Sequence, residues 1–207
     1  LIRHLNNCKK ITSDVFSMIL LTAQRPGEVS GMRYDEIKDD LWTIPAERAK
    51  NRMAQTIPLP DLAKEILERR KQKQLRVSAL EEKDGRKRPN HFEYVFPTRI
   101  ISTEAEKGHT TWNRKACNEI VTSLGIPHFT PHDLRRTAAT HLRNLGCSRD
   151  TLKKILNHKD SSSDVTAVYD HSSALDEKKL ALERWNEKLC KLLSENSNNE
   201  ESPSDDL

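Results

Sequence analysis

Residues 12–24, TSDVFSMILLTAQ, constrain what this chain can fold into more than any other stretch. Thr12, Ser13 and Asp14 supply N-cap chemistry, and Val15, Phe16, Met18, Ile19 and Leu20 then follow almost without polar interruption. Such a helix has no face suited to water, so the rest of the chain has to cover it. Pro26 restarts a short helix, PGEVSGM, and leaves Arg25 at the junction. LWTIP (41–45) and AQTIPL (54–59) predict a hairpin whose turn, AERAKNRM, is crowded with cations. Helices are expected over 61–76, 111–124, 133–145, 149–157, about 162–169 and 174–193. A polar loop is expected at 81–91 and a third strand at 94–97, YVFP. The fold class is therefore α+β, mainly α, with a small three-stranded antiparallel sheet. One domain is expected over 1–193, followed by a compositionally disordered acidic tail over 194–207.

The chain has 207 residues and a formal net charge of +4. The segment from Leu192 onward holds five acidic and no basic side chains, so the preceding body carries about nine positive charges. That balance favours a polyanionic partner. Cys8, Cys117, Cys147 and Cys190 show neither CxxC pairing nor metal-ligand spacing, which suits reduced thiols in a cytosol. No apolar run reaches membrane length and no signal-peptide pattern opens the chain, so a soluble, cytoplasmic protein is expected.

A second helix poses an electrostatic problem. HDLRRTAATHLRNLG (132–146) opens with His132, Arg135 and Arg136, where backbone N–H groups already make the end positive. Cations belong there only if an anion sits among them. Leu134, Ala138, Leu142 and Leu145 define an apolar stripe centred about 60° from Arg135 and about 160° from Arg136. Arg135 is thus expected at the core edge and Arg136 toward solvent or a partner. A partly desolvated guanidinium needs a hydrogen-bonded anion, either a phosphate or an internal carboxylate such as Asp133 or Asp164.

Polar residues at element ends line up in order along the chain: Arg25 in TAQRPGEVSGM, Lys50 in the hairpin turn, His132 and Arg135, His158 in KILNHKD, and Tyr169 in VTAVYDH. This ordered set, together with PAERAKNRMAQTIPLP, LRRTAATHL, LNH and YDHSSALDEKKLALERW, resembles the tyrosine recombinases, in particular integrases of phages, prophages and genomic islands. The likeness runs from about residue 12 to about residue 190. It implies the DNA breaking-rejoining catalytic fold and site-specific strand exchange through a 3′-phosphotyrosyl intermediate, for integration or excision of a mobile element. Carried over by position, Tyr169 is the nucleophile, Arg25 and Arg135 clamp non-bridging oxygens, and Lys50 is the general acid. His132 assists proton transfer, His158 hydrogen-bonds the phosphate, and Glu28 supports the clamp. Asn157 departs from the glycine that many recombinases carry before the histidine.

The residue types suit that chemistry on their own terms. A phenol of pKa about 10 is ionised to only about one part in a thousand at pH 7, so it needs cations or a base nearby. The same cations stabilise a pentacoordinate phosphorus transition state, and no metal or other cofactor is called for. Taken singly, each residue also has a plain reading: Tyr169 as packing, His158 as a helix C-cap, Arg25 as a salt bridge to Glu28, and Lys50 as one of three cations with Arg48 and Arg52. His141 and His171 are read as surface or packing residues. An inactive DNA-binding module and a type IB topoisomerase are the other classes considered. The six intact residues argue against the first, and the LNH and YDH spacing against the second.

Arg136, Arg143, Arg48 and Arg52 are candidates for DNA-backbone contact, and RRKQKQLR (69–76) and GRKR are either further phosphate contacts or solvated surface. Leu182, Trp185, Leu189 and Leu192 repeat at helical spacing and pack either on their own domain or on a neighbouring protomer. The resemblance implies double-stranded DNA as partner, a tetramer on DNA and a monomer without it, DNA-bending accessory proteins, and nucleoid association when bound. It also implies N-terminal DNA-binding domains that this sequence does not contain. Without DNA, the pocket is expected to hold water or an anion such as sulfate.

Overall fold

The computed structural model describes residues 1–2, 4–5, 10–83, 93–98, 108–110, 114–158 and 171–195. Tyr169, Asp164, Cys8, the GRKR run, the expected helix at 162–169 and the tail beyond residue 195 lie outside the described residues. The elements are α1 (Ile11–Thr22), α2 (Pro26–Ser30), a 3-10 turn (Tyr34–Glu36), β1 (Ile37–Lys38), β2 (Leu41–Ile44) and β3 (Gln55–Pro58). These are followed by α3 (Asp61–Lys83), α4 (Arg114–Leu124), α5 (Pro131–Asn144), α6 (Arg149–Leu156) and α7 (His171–Ser194).

Helix α1 is the centre of the structure. Every residue from Ser13 to Thr22 is buried, and α2, α3, α5 and α7 pack around it. Phe16 meets Phe129 edge to face at 6.0 Å. The one charge on this helix, Asp14, is fully buried and is neutralised by Arg69 (2.5 Å) and Arg70 of α3. A lone carboxylate there would be too costly to keep ionised, which accounts for both arginines. The basic run at 69–76 is therefore split. Arg70 and Gln74 face inward, Gln74 donating to the carbonyls of Tyr94 and Val95, while Lys71, Lys73 and Arg76 are exposed.

The sheet is antiparallel in the order β1-β2-β3, with Trp42 opposite Ile57 and Ile44 opposite Gln55. The expected third strand is corrected: YVFP is not in it. Those residues make isolated bridges, Arg33 to Tyr94 and Pro97 to His109, and bury Val95 and Phe96. The third position goes instead to Ile37–Lys38, joined to β2 by Asp39 and Asp40, both at positive φ (49° and 61°). Aspartate tolerates that conformation, and a two-residue turn closes far more readily than a pairing some fifty residues away.

Helix α7 resolves the question of its apolar stripe. Leu182, Trp185 and Leu189 are buried against the rest of this chain, and Leu192 is exposed. The Trp185 indole N–H donates to the Leu20 carbonyl of α1 at 2.8 Å, and His141 stacks on the indole at 5.0 Å, so His141 is a packing residue. Truncation of Trp185 to alanine is expected to cost about 3–5 kcal/mol. A urea titration followed by circular dichroism checks this through the fall in midpoint.

Candidate active site

The site is built on the C-terminus of α6. Ser148 caps the other end, its Oγ accepting from the Thr151 N–H at 3.0 Å. At the C-terminus Asn157 turns into the left-handed region (φ 49°, ψ 50°), and the His158 N–H returns to the Lys153 carbonyl at 3.1 Å. This is a Schellman closure, which favours glycine and next asparagine at the left-handed position. The departure at Asn157 thus keeps the backbone geometry that glycine would give, and the closure sets His158 at the mouth of the site.

A helix end leaves its last carbonyls without intrahelical donors. Here each is met by a side chain from a different part of the chain. Gln55 of β3 donates to Lys154 (3.3 Å) and Ile155 (2.6 Å), and Gln24, just after α1, also donates to Ile155 (2.9 Å). Arg135 of α5 donates to Leu156 (2.7 Å), while Arg25 and Asn51 donate to Asn157 (3.3 and 2.8 Å). The negative end of the helix dipole draws both guanidiniums to one place, as the charge distribution of a helix favours.

The arginines are held differently. Arg25 precedes Pro26 at the start of α2, and Glu28 accepts from its backbone N–H (3.3 Å) and its Nη1 (3.1 Å). The buried Glu28 carboxylate also accepts from the Lys50 backbone N–H at 3.2 Å, which ties the hairpin turn to the clamp. Arg135 is 8% exposed, and its Nη1 is buried with no hydrogen-bond partner among the described residues. Burial, reinforced by the Arg25 charge and partly offset by Glu28, pushes its guanidinium down to about 10, so it stays charged at neutral pH. The Asp133 alternative falls away. That carboxylate accepts from the hydroxyl and N–H of Thr130 at the α5 N-cap (2.7 and 2.8 Å) and pairs with Arg136 at 3.2 Å.

Lys50, His132 and His158 are exposed around this pair, Lys50 on the β2–β3 turn and His132 in the first turn of α5. Of the outer cations, Arg136 is 82% exposed, and Arg143 and Arg52 are open to solvent. Arg48 is different and is corrected here: its fork is committed to Glu36 (2.7 and 2.6 Å), with Nη1 on the Glu28 carbonyl. Glu36 also accepts from the Trp42 indole, so Arg48 is committed to bracing the hairpin.

Arg25, Arg135 and His158 therefore meet at one helix end, with Lys50 tied to it through Glu28, and all six aligned residues lie within residues 1–175, the stretch matched by the phage integrase family. The chain belongs to the phage integrase family. Among the relatives of this chain, prophage integrase IntA of Escherichia coli (strain K12) is 31% identical over 177 residues, covering 84% of this chain and 38% of IntA. Tyrosine recombinase XerC of Oceanobacillus iheyensis is 29% identical over 160 residues, 76% of this chain and 48% of XerC. Tyrosine recombinase XerD of Vibrio vulnificus is 31% identical over 77 residues, 37% of this chain and 24% of XerD. The chain thus spans less than half the length of these curated relatives. No solved structure matches it.

Gln24, Gln55 and Asn51 escaped the sequence reading. The usable signal was Gln55, a polar residue on the inward face of a strand whose neighbour on that face, Ile57, is fully buried.

His158 is held below its ordinary value of 6.5, first by partial burial and then by the charges of Arg135 and Arg25. The unfolded chain therefore binds that proton more readily. The neutral imidazole's share of stability is present above pH 6.5 and is lost as pH falls through the folded value. An NMR titration is expected to give a His158 midpoint below 6.5, which rises in Arg135→Gln and on adding sulfate.

Proposed function

We propose that this chain cleaves and rejoins DNA strands as the catalytic part of a site-specific recombinase that integrates or excises a mobile element. The observation that carries the reading is the Nη1 of Arg135, buried and without a partner among the described residues, beside Arg25 at a helix end that His158 directly follows. An orphaned charged donor is costly, and a phosphate is the anion whose geometry two guanidiniums fit.

In this mechanism the Tyr169 phenolate oxygen attacks the scissile phosphorus. As that O–P bond forms, the bond to the 5′ oxygen breaks. The phenol loses its proton to solvent or to a base such as His132, and the leaving 5′ oxygen takes one from Lys50 Nζ. Arg25, Arg135 and His158 bear the charge that builds on the non-bridging oxygens, with Glu28 holding Arg25 and the Lys50 turn in register. A second strand's 5′-hydroxyl reverses the step, so the phosphotyrosyl bond conserves the energy of the phosphodiester. No cofactor enters.

Double-stranded DNA is the partner, gripped outside the site by the exposed Arg136, Arg143 and Arg52. A tetramer on two duplexes, monomers in its absence, DNA-bending accessory proteins and a cytoplasmic, nucleoid-associated location complete the proposal. No helix among the described residues is long and apolar enough to cross a membrane.

The test is covalent trapping on nicked duplexes carrying candidate attachment sequences. The expected result is a protein–DNA adduct that Tyr169→Phe abolishes and that Arg135→Gln slows by about 10²- to 10³-fold. Absence of any adduct on an attachment sequence the protein demonstrably footprints would overturn the enzyme reading. Relaxation of supercoils without sequence preference would favour a topoisomerase instead.

A further inference from the structure

The left-handed cap at Asn157 needs only glycine, yet the side chain there is an amide whose Nδ2 makes two hydrogen bonds. Its Nδ2 donates to Asn51 Oδ1 (3.2 Å) and to the Met53 carbonyl (3.0 Å), 106 and 104 residues away in the chain. Asn51 replies through its own Nδ2 to the Asn157 carbonyl at 2.8 Å. Asn51 Oδ1 also accepts from the Met53 N–H at 3.2 Å, which closes a local turn within the hairpin loop. The next residue, Arg52, sits at φ 57°, a conformation a long side chain adopts only when its surroundings impose it.

Lys50 lies immediately before this clasp. Its backbone N–H is fixed by Glu28, and the residue after it is fixed by Asn157, whereas Lys50, Arg52 and Met53 are themselves exposed. The loop has little core of its own to hold it, so these polar contacts set where its backbone stands relative to Arg25 and His158.

We propose that Asn51 and Asn157 are a pair of positioning residues: their reciprocal amide bonds hold the Lys50 loop at the α6 C-terminus so that the lysine reaches the leaving 5′ oxygen. This rests on the assignment of Lys50 as proton donor. The pair acts on the chemistry through the loop. It also explains why asparagine stands where glycine would satisfy the backbone alone.

The experiment compares cleavage of two nicked substrates by the full chain, one with the normal 5′-bridging oxygen and one with sulfur in that position. An alkyl thiol of pKa about 8.5 leaves without a proton, whereas an alkoxide requires one. Asn157→Gly retains the left-handed cap and removes both side-chain bonds. Asn51→Ala removes the other side of the clasp, and a thermal melt of each variant reports folding separately. Both are expected to slow cleavage of the oxygen substrate by about 10- to 100-fold with DNA affinity unchanged, and to cleave the sulfur substrate at the wild-type rate, as Lys50→Ala does. The Arg135→Gln defect is expected to persist on both substrates. Wild-type rates on oxygen, or a deficit on sulfur that Lys50→Ala does not share, would overturn the pair and leave the recombinase reading intact. A Lys50→Ala deficit that persists on sulfur would instead remove Lys50 as proton donor, and the pair's role with it.

Discussion

Four consecutive carbonyl oxygens at the C-terminal end of α6, from Lys154 to Asn157, are the point on which the remainder of this structure depends. Apart from the Asn157 N–H, which reaches the Lys154 carbonyl at 3.4 Å, the backbone supplies them no donors, so side chains have to meet them. They are met by Gln24 beyond the central helix, Arg25 at the head of α2, Asn51 and Gln55 of the hairpin, and Arg135 of α5. Segments separated by more than a hundred residues are thereby brought to one locus by a requirement that is purely local in origin. The core around α1 supplies the cohesive energy, whereas the α6 terminus supplies the register.

The same terminus makes a repulsive arrangement tenable. Two guanidiniums side by side, one nearly buried, disfavour each other, and the depression of Arg135 to about 10 reflects first its burial and then the charge of Arg25. The negative end of the helix and the Glu28 carboxylate offset part of it, and among the described residues Arg135 Nη1 has no partner. Within the recombinase reading, the scissile phosphate completes what the protein leaves unfinished. The site is then tuned to bind most tightly when the phosphorus centre is most charged.

Much of this was legible in the chain. The burial of α1 followed from its lack of a polar face, and the division between Arg135 and Arg136 followed from helical periodicity, because both depend only on residues within one element. The hairpin and its cation-rich turn were likewise local. The placement of YVFP was not. Its apolar content fits a strand, but competition with the Asp39–Asp40 turn decided which segment joins β2. Arg48 escaped for the same reason, since its carboxylate partner sits on a turn twelve residues earlier that no spacing rule connects to it.

By itself the sequence determined the inventory and its order: a helix with no wet face, cations placed at element ends, and a strand pair joined by a basic turn. These follow from short-range sterics and from the period of a helix or strand. Tertiary structure decided which of those polar groups meet. The hydrogen-bond needs of one buried helix end are satisfied by donors far apart in the chain, and only packing determines which donors reach it. That is why Arg25 and Arg135 share a pocket while Arg48, equally basic and two residues from Lys50, is spent on Glu36.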